Sequence, residues 1–284
     1  MKSQDVHKLN EHSATVMMRS LLVFFILGIA CFELFIGFRG LFEPAAMDQA
    51  QIARNVARGE GMTTNFFRPL QVMDAAQSNG GQIESFDSFG DANHAPLHIY
   101  ALAGALKMSG YADFDASRME EGGSSIYEPD RVIAATSMVF FLIALFLSYL
   151  VIMRLFDEAV AASTILLMTL SDLWLGYGAS GLPQPMMLCF MMAGMYLLMK
   201  ACDAQSNAKG SKQVALWVAA AFVCIALLCL CSWMAIWVAI ALIVFVGTFL
   251  RPYGVHALIA ALVLIFLLIF PYLRNVGITG SLMA

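Results

Sequence analysis

Charged side chains are scarce in this sequence. They make up 13% of the 284 residues, whereas hydrophobic residues make up 60%. A soluble domain carries about a quarter charged residues and about half apolar ones. Several apolar runs also reach the roughly 20 residues that a helix needs to cross a bilayer. The composition excludes an ordinary soluble protein and predicts an all-α, polytopic bundle of membrane helices.

Basic residues are also few. Sixteen lysines and arginines stand against twenty acids. They form no basic patch of the kind that binds nucleic acid. The sequence therefore predicts no nucleic-acid partner, and the lipid bilayer is the partner that the composition favours.

The long polar segment 39–131 contains no cysteine. The six cysteines of the chain lie in or beside apolar runs instead: Cys31, Cys189, Cys202, Cys224, Cys229 and Cys231. No disulfide framework can hold segment 39–131, whichever compartment it faces. Cys229 and Cys231 are spaced C-x-C in an apolar run without histidine or acidic companions, which is typical of small buried hydrophobic residues.

Seven apolar segments divide the chain. An N-terminal segment at 1–20 precedes a first span at 21–38, and the long loop at 39–131 separates it from six further spans within 132–273. Residues 274–284 follow the last span. The six later spans are predicted at 132–153, 159–178, 184–201, 214–231, 233–250 and 254–273.

Lysine and arginine in the short loops indicate the orientation. The short connections near Ser180 and Ser232 carry no basic residue. The loops of the opposite side carry Arg154, Lys200, Lys209, Lys212 and Arg251. This bias predicts a cytoplasmic N-terminus, in an inner or plasma membrane. Loop 39–131 and residues 274–284 would then be extracytoplasmic, because long loops are translocated regardless of their charge.

Two short helices are predicted within the long loop. The first covers 46–58 and ends at glycines on either side of Glu60. The second covers 94–110. At 100° per residue, the polar residues of the first helix fall on one arc: Asp48, Gln51, Arg54, Asn55 and Arg58. An amphipathic helix of this kind lies in the membrane interface rather than across it.

The polar arc carries two kinds of candidate functional residue. Asp48 is placed to act as a general base toward an acceptor hydroxyl, or merely to favour the helix dipole from the first turn. Arg54, Arg58 and Arg68 suit a phosphate-bearing lipid, because arginine binds phosphate through a bidentate fork. The alternative is that these arginines contact bulk headgroups.

His94 and His98 are four residues apart, a spacing that suits a metal pair on a helix. Pro96 lies between them and argues against an uninterrupted helix. Packed or hydrogen-bonded histidines are therefore the favoured interpretation.

Four stretches together resemble the GT-C glycosyltransferases, membrane enzymes that use polyprenyl-phosphate sugars. The similarity is greatest to aminoarabinose transferases and protein O-mannosyltransferases. It rests on "MDQAQIARNVARGEGMTTNFFRPL" (47–70), "HAPLHIYALAG" (94–104), "YGASGLPQPMM" (177–187) and "FPYLRNVGITGS" (270–281). Those enzymes have one span, then a long outer loop with two juxtamembrane helices and an acidic residue. They commonly have eleven or more spans, so the resemblance implies that this chain is an N-terminal part, truncated near 274–284.

The resemblance also implies roles for residues. The loop acid corresponds to Asp48, with Glu43 as the alternative, because Ala45 and Ala46 stand where many relatives have an Asp-Glu pair. The donor phosphate would be held by Arg54, Arg58, Arg68 and Arg274. The substrate pocket would include Asn55, His94 and Gln184, the last in place of an acid found in relatives. No cofactor is required and no metal ligand is assigned, since the leaving group is already a phosphate; a divalent metal is possible but not indicated.

The implied function is an inverting glycosyltransferase at the extracytoplasmic face. Its donor would be a polyprenyl-phosphate-linked sugar, and its acceptor a hydroxyl of a lipid, glycan or protein. One alternative is an inactive lipid-binding or assembly subunit, which Ala45, Ala46 and Gln184 in place of acids would fit. Another is a transporter subunit, against which stands the small number of charges in the spans.

Overall fold

The fold is almost entirely helical. The computed structural model describes residues 3–66, 89–114, 126–207, 210–252 and 254–279, and the side chains from Val16 to Gly277 within them. Ten α-helices follow one another in these ranges: α1 Ser3–Phe32, α2 Pro44–Arg58, α3 Pro96–Met108, α4 Glu128–Leu155, α5 Glu158–Leu170, α6 Asp172–Ala179, α7 Gln184–Ser206, α8 Ser211–Cys229, α9 Ile236–Phe249 and α10 Val255–Thr279.

The β structure of the described part consists of two short strands. Strand β1, Thr63–Thr64, pairs antiparallel with β2, Phe89–Gly90. A π-helical turn, Glu33–Gly37, extends α1, and a 3₁₀ turn, Trp233–Ala235, precedes α9. The all-α membrane-bundle fold predicted from the sequence is confirmed.

Each of the seven predicted spans coincides with helical structure, but their lengths differ. Five helical segments are long and apolar enough to cross a membrane: Val16–Gly37, Glu128–Leu155, Gln184–Ser206, Ser211–Cys229 and Val255–Gly277. The helix α9, predicted as a sixth span at 233–250, has 14 residues and rises only about 21 Å. The described chain therefore holds five full-length candidate spans, or six if the bent pair α5–α6 forms one span.

The segment predicted as a span at 159–178 forms two helices joined by a bend. Helix α5 ends at Leu170, and α6 starts at Asp172 with a bend of 67° between them. Ser171 is extended at φ −78° and ψ 120°. Serine and aspartate favour helix starts over helix interiors, because they hydrogen-bond to nearby backbone groups and a carboxylate suits the first turn. Ser171 and Asp172 thus begin a new helix inside an apolar run.

The two predicted loop helices are present. Pro44 occupies the first turn of α2, and Gly59 ends the helix in the left-handed conformation at φ 85°; glycine adopts this conformation without a steric penalty. Helix α3 starts at Pro96, so His94 precedes it while His98 lies on it. The two helices pack against each other through fully buried Ile52 and Ile99.

The apolar interior forms two clusters. The first contains residues of α1 to α6, with Ile52, Ile99 and Phe141 at its centre. The second contains residues of α7 to α10, including the fully buried Phe222 and Ile225. Packing of α4 against α7 joins the two clusters. A hydrogen bond also joins them at 2.9 Å, from the Leu97 amide at the start of α3 to the Leu230 carbonyl after α8.

Candidate active site at the end of the bundle

The short strand pair brings distant parts of the chain together beside α2. Thr64 of β1 lies opposite Phe89 of β2. The Asp91 amide continues the pairing by donating to the Met62 carbonyl at 2.9 Å. Residues that follow β2 are consequently held next to the polar face of α2.

Asp48 lies under this strand pair rather than on an open surface. Its relative exposure is 9%, and the Thr64 hydroxyl donates to its Oδ1 at 3.1 Å. The other side-chain oxygen, Oδ2, lies 3.9 Å from Nε2 of His94. That separation exceeds hydrogen-bond length, but it places the Asp48 carboxylate and the His94 imidazole next to each other. The polar arc of α2 is therefore partly covered by residues 63–65.

Asp91 orients His94. The Asp91 carboxylate is fully buried. It accepts the His94 backbone amide at 3.1 Å and lies 3.2 Å from His94 Nδ1. When the Nδ1–H is directed at this carboxylate, the imidazole presents Nε2 to Asp48. The sequence places Asp91 near His94, but it does not reveal this orienting contact.

The last helix, α10, places an arginine next to Asp91. Arg274 of α10 donates from Nη1 to the Asp91 carbonyl at 3.2 Å and from Nη2 to the Met62 carbonyl at 3.4 Å. The neighbouring Asn275 donates to the Ala92 carbonyl at 3.2 Å. Arg274 is thus placed beside the Asp48–His94–Asp91 group. Asn275 and Thr64 belong to this region and were not predicted from the sequence.

Arg54 and Arg58 make contacts around the start of α4 and the end of α3. Arg54 lies 3.4 Å from the Asp130 carboxylate and stacks over the Tyr127 ring at 5.4 Å. Arg58 donates to the Ala112 carbonyl at 3.1 Å. These contacts fix α2 against its neighbours. Arg68, the third predicted phosphate ligand of the long loop, lies outside the described residues.

The remaining predicted residues fall in different environments. Glu43 is exposed and immediately precedes α2. Asn55 is buried and donates to the carbonyl and hydroxyl oxygens of Thr63 at 3.0 and 3.1 Å. Gln184 begins α7, and its buried Oε1 has no hydrogen-bond partner within the described part of the chain.

His98 packs as a neutral residue between α2 and α3. It is 2% exposed, and its Nδ1 lies 2.8 Å from Oε1 of Gln49. Burial, assisted by the nearby His94, lowers the pKa of His98 to about 3. The Nδ1–H of His98 therefore donates a hydrogen bond to Oε1 of Gln49 and ties the two helices together. This contact supports the hydrogen-bonded interpretation of His98 over a metal pair.

Within the ranges that the structure describes, no three histidine, cysteine or acidic residues form a group that could hold a metal ion. That the reaction requires no metal stays a prediction.

An apolar cavity of about 550 Å³ lies beside α10. It runs between α8, α9 and α10 and reaches Asn275 at its polar end. Its lining includes Trp233, Leu264, Leu268, Tyr272 and Val276. Asn275, the residue that follows Arg274, is a polar residue of this lining.

The family comparison covers most of these residues. The family model of the dolichyl-phosphate-mannose-protein mannosyltransferases matches residues 83–275, about two thirds of the chain. The chain belongs to this family. The resemblance to GT-C membrane glycosyltransferases is thereby confirmed. Asp91, His94 and Arg274 lie inside the matched range, whereas Asp48 lies before it. No curated protein and no solved structure matches the chain.

Family membership identifies the broad activity. The mannosyltransferase family supports a multi-pass membrane transferase that uses a polyprenyl-phosphate-linked sugar. It does not favour the alternative of a lipid-binding subunit without activity.

Proposed function

We propose that the chain transfers mannose, with inversion, from a polyprenyl-phosphate donor to a hydroxyl of a protein acceptor at the extracytoplasmic face. The observation that carries the proposal is the placement of buried Asp48 beside the His94–Asp91 pair, together with Arg274 of α10, which donates to the Asp91 carbonyl. This arrangement offers a proton acceptor and a phosphate-binding cation within one site. The family description supports mannose as the sugar and protein as the acceptor.

Asp48 is the group we assign as general base. Thr64 hydrogen-bonds to Oδ1, so Oδ2, on the side of His94, is the oxygen that takes the acceptor proton. The acceptor oxygen then forms a bond to the anomeric carbon, and the bond from that carbon to the phosphate oxygen breaks. The leaving polyprenyl phosphate carries the electron pair away. Glu43 is exposed and is therefore the weaker candidate.

His94 positions the Asp48 carboxylate and does not itself act as the general base. Asp91 holds the Nδ1 side of the imidazole, so Nε2 stays directed toward Asp48. His94 would also contact a sugar hydroxyl entering between the two side chains. Gln184 offers a buried acceptor of the type that a sugar hydroxyl satisfies.

Arg274 is the residue we assign to the donor phosphate. Its two described hydrogen bonds to backbone carbonyls use part of the five N–H donors of a guanidinium. The remaining donors can stabilise the charge that develops on the leaving phosphate. The cavity next to Asn275 is apolar and suits the isoprenoid chain. Arg54 and Arg58 are assigned to positioning α2 through Asp130 and Ala112.

The test compares Asp48→Asn with Glu43→Gln in the purified full chain. Asparagine retains an oxygen that can accept from Thr64, so the fold should persist, but it cannot take a proton. Loss of a general base lowers the rate by about 10²–10⁴-fold. The assay follows turnover of polyprenyl-phosphate-mannose with a serine- and threonine-containing peptide. We expect the large loss for Asp48→Asn and nearly unchanged turnover for Glu43→Gln; full activity of Asp48→Asn would refute the assignment.

A further inference from the structure

A polar cluster lies at the end of the bundle opposite Asp48. It consists of Arg19 on α1, Tyr149 on α4 and Glu158 on α5. On α4, Tyr149 lies 19 residues after Asp130, the partner of Arg54 on α2, which is about 28 Å at 1.5 Å per residue. The three helices meet here through hydrogen bonds from Arg19 to Glu158 at 2.6 and 2.8 Å and from Tyr149 to Glu158 at 3.3 Å.

Two apolar grooves meet at this cluster, one on each side of α1. The first, of about 930 Å³, lies between α1 and α5 and includes Leu21, Phe25, Ala162 and Leu166 in its lining. The second, of about 460 Å³, lies between α1 and α4 and includes Val23, Ile26, Leu142 and Phe146. Arg19, Leu22 and Tyr149 line both grooves. Both volumes fall in the range of ligand pockets, roughly 300–1,000 Å³.

The cluster retains bonding capacity for both signs of charge. Arg19 uses Nε and Nη2 for Glu158, which leaves the Nη1 hydrogens of the guanidinium. Glu158 Oε1 accepts from both Arg19 and Tyr149, whereas Oε2 accepts from Arg19; a carboxylate oxygen has two lone pairs. The side chains of Arg19 and Glu158 are 53% and 40% exposed. A ligand can therefore reach one cation and one anion side by side.

We propose that this cluster and its two grooves bind one glycerophospholipid with a phosphoethanolamine headgroup. The lipid phosphate accepts from Nη1 of Arg19, and its ammonium donates to Oε2 of Glu158. One acyl chain lies in each groove, so the lipid straddles α1. A phosphocholine headgroup has no N–H to donate to Glu158, and an anionic headgroup offers that carboxylate no cation. The site thus selects by charge pattern as well as by apolar contact.

The test uses native mass spectrometry of the full chain, freed of lipid in detergent. It is then titrated with phosphatidylethanolamine, phosphatidylcholine or phosphatidylglycerol of identical acyl chains. We expect one phosphatidylethanolamine to be retained about tenfold more tightly than either other lipid, as a charge-assisted hydrogen bond would give. Equal retention of the three lipids would overturn the proposal and leave only non-specific lipid contact.

Two variants separate the headgroup from the grooves. Glu158→Gln keeps acceptors for Arg19 and Tyr149 but loses the negative charge, so the preference over phosphatidylcholine should disappear. Ala162→Phe fills the first groove and should weaken all three lipids together. Leu167→Phe is the matched control, because Leu167 is 69% exposed on the same helix. An unchanged preference in Glu158→Gln, or equal effects of the two phenylalanine variants, would contradict the proposed site.

Discussion

The buried histidine between α2 and α3 makes the stability of the protein sensitive to acid. The pKa of His98 falls from 6.5 to about 3, first through burial and then through the nearby His94. Between these two values the unfolded chain binds a proton that the folded protein excludes. The free energy of unfolding therefore falls as the pH falls below about 6.5. Above about pH 6.5, His98 is neutral in both the folded and the unfolded chain, and the protein keeps its full stability with respect to this group.

The size of the effect follows from this shift. One pH unit corresponds to about 1.4 kcal/mol for one titrating group. At about pH 5, some 1.5 units below the unfolded value, His98 lowers the free energy of unfolding by about 2 kcal/mol relative to about pH 7.5. Acid in this range therefore favours the unfolded chain, whereas His98 in the folded protein stays neutral and keeps its contact with Gln49.

The measurement compares wild type with His98→Gln by denaturant unfolding in detergent micelles, followed by tryptophan fluorescence. Other groups contribute their own pH dependence to both proteins, so the informative quantity is the stability difference between them. This difference should shift by about 2 kcal/mol in favour of the variant between about pH 7.5 and about pH 5. Gln49→Leu is the control: it removes the hydrogen bond but retains the histidine and should keep a pH dependence like that of the wild type. A pH-independent difference between wild type and His98→Gln would refute the reasoning.

Two further predictions concern the end of the bundle that carries Asp48. Arg274→Gln should lower donor turnover by about 10²-fold or more, because it removes a group that stabilises developing negative charge. The control Arg58→Gln should change turnover little. Equal losses for the two variants in steady-state assays would contradict the assignment of Arg274 to the phosphate. Gly181→Ala should destabilise the protein by about 1–3 kcal/mol, because Gly181 has φ +74° and an added Cβ would lie 2.7 Å from Ile133. Gly176→Ala is the control, because nothing lies within 4 Å of a Cβ added at Gly176. Thermal unfolding of both variants is the measurement, and Gly176→Ala should be neutral in it.

Local signals in the sequence predicted the helices well. The glycines beside Glu60 predicted the end of the first loop helix, which ends at Gly59, whereas the helix starts at Pro44, two residues before the predicted start at 46. Apolar runs located the spans. The break at Ser171 also had a local signal, since a serine followed by aspartate favours a helix start. The prediction of a span at 159–178 rested on its apolar character and did not use this signal.

The candidate site depended on contacts between residues far apart in the chain. Helical periodicity placed Asp48 on a polar arc, but it could not show that the β1–β2 pair covers this arc. Arg274 was predicted only through resemblance, and its carbonyl partners lie 183 and 212 residues away. Periodicity describes one helix at a time, whereas burial of Asp48 is decided by which strand lies over it.

The division of the interior into two apolar clusters gives the site an order of assembly. A chain is made from its N-terminus, and regions already synthesised can fold before the rest follows. The first cluster consists of residues of α1 to α6 and of the segments beside them, and Asp48, Asp91 and His94 also precede α6 in the chain. Arg274 arrives with α10, after three more helices, and docks on carbonyls at Met62 and Asp91. The proposed proton acceptor is thus in place before the proposed phosphate-binding residue is synthesised, so the proposed site is complete only after α10 has been inserted.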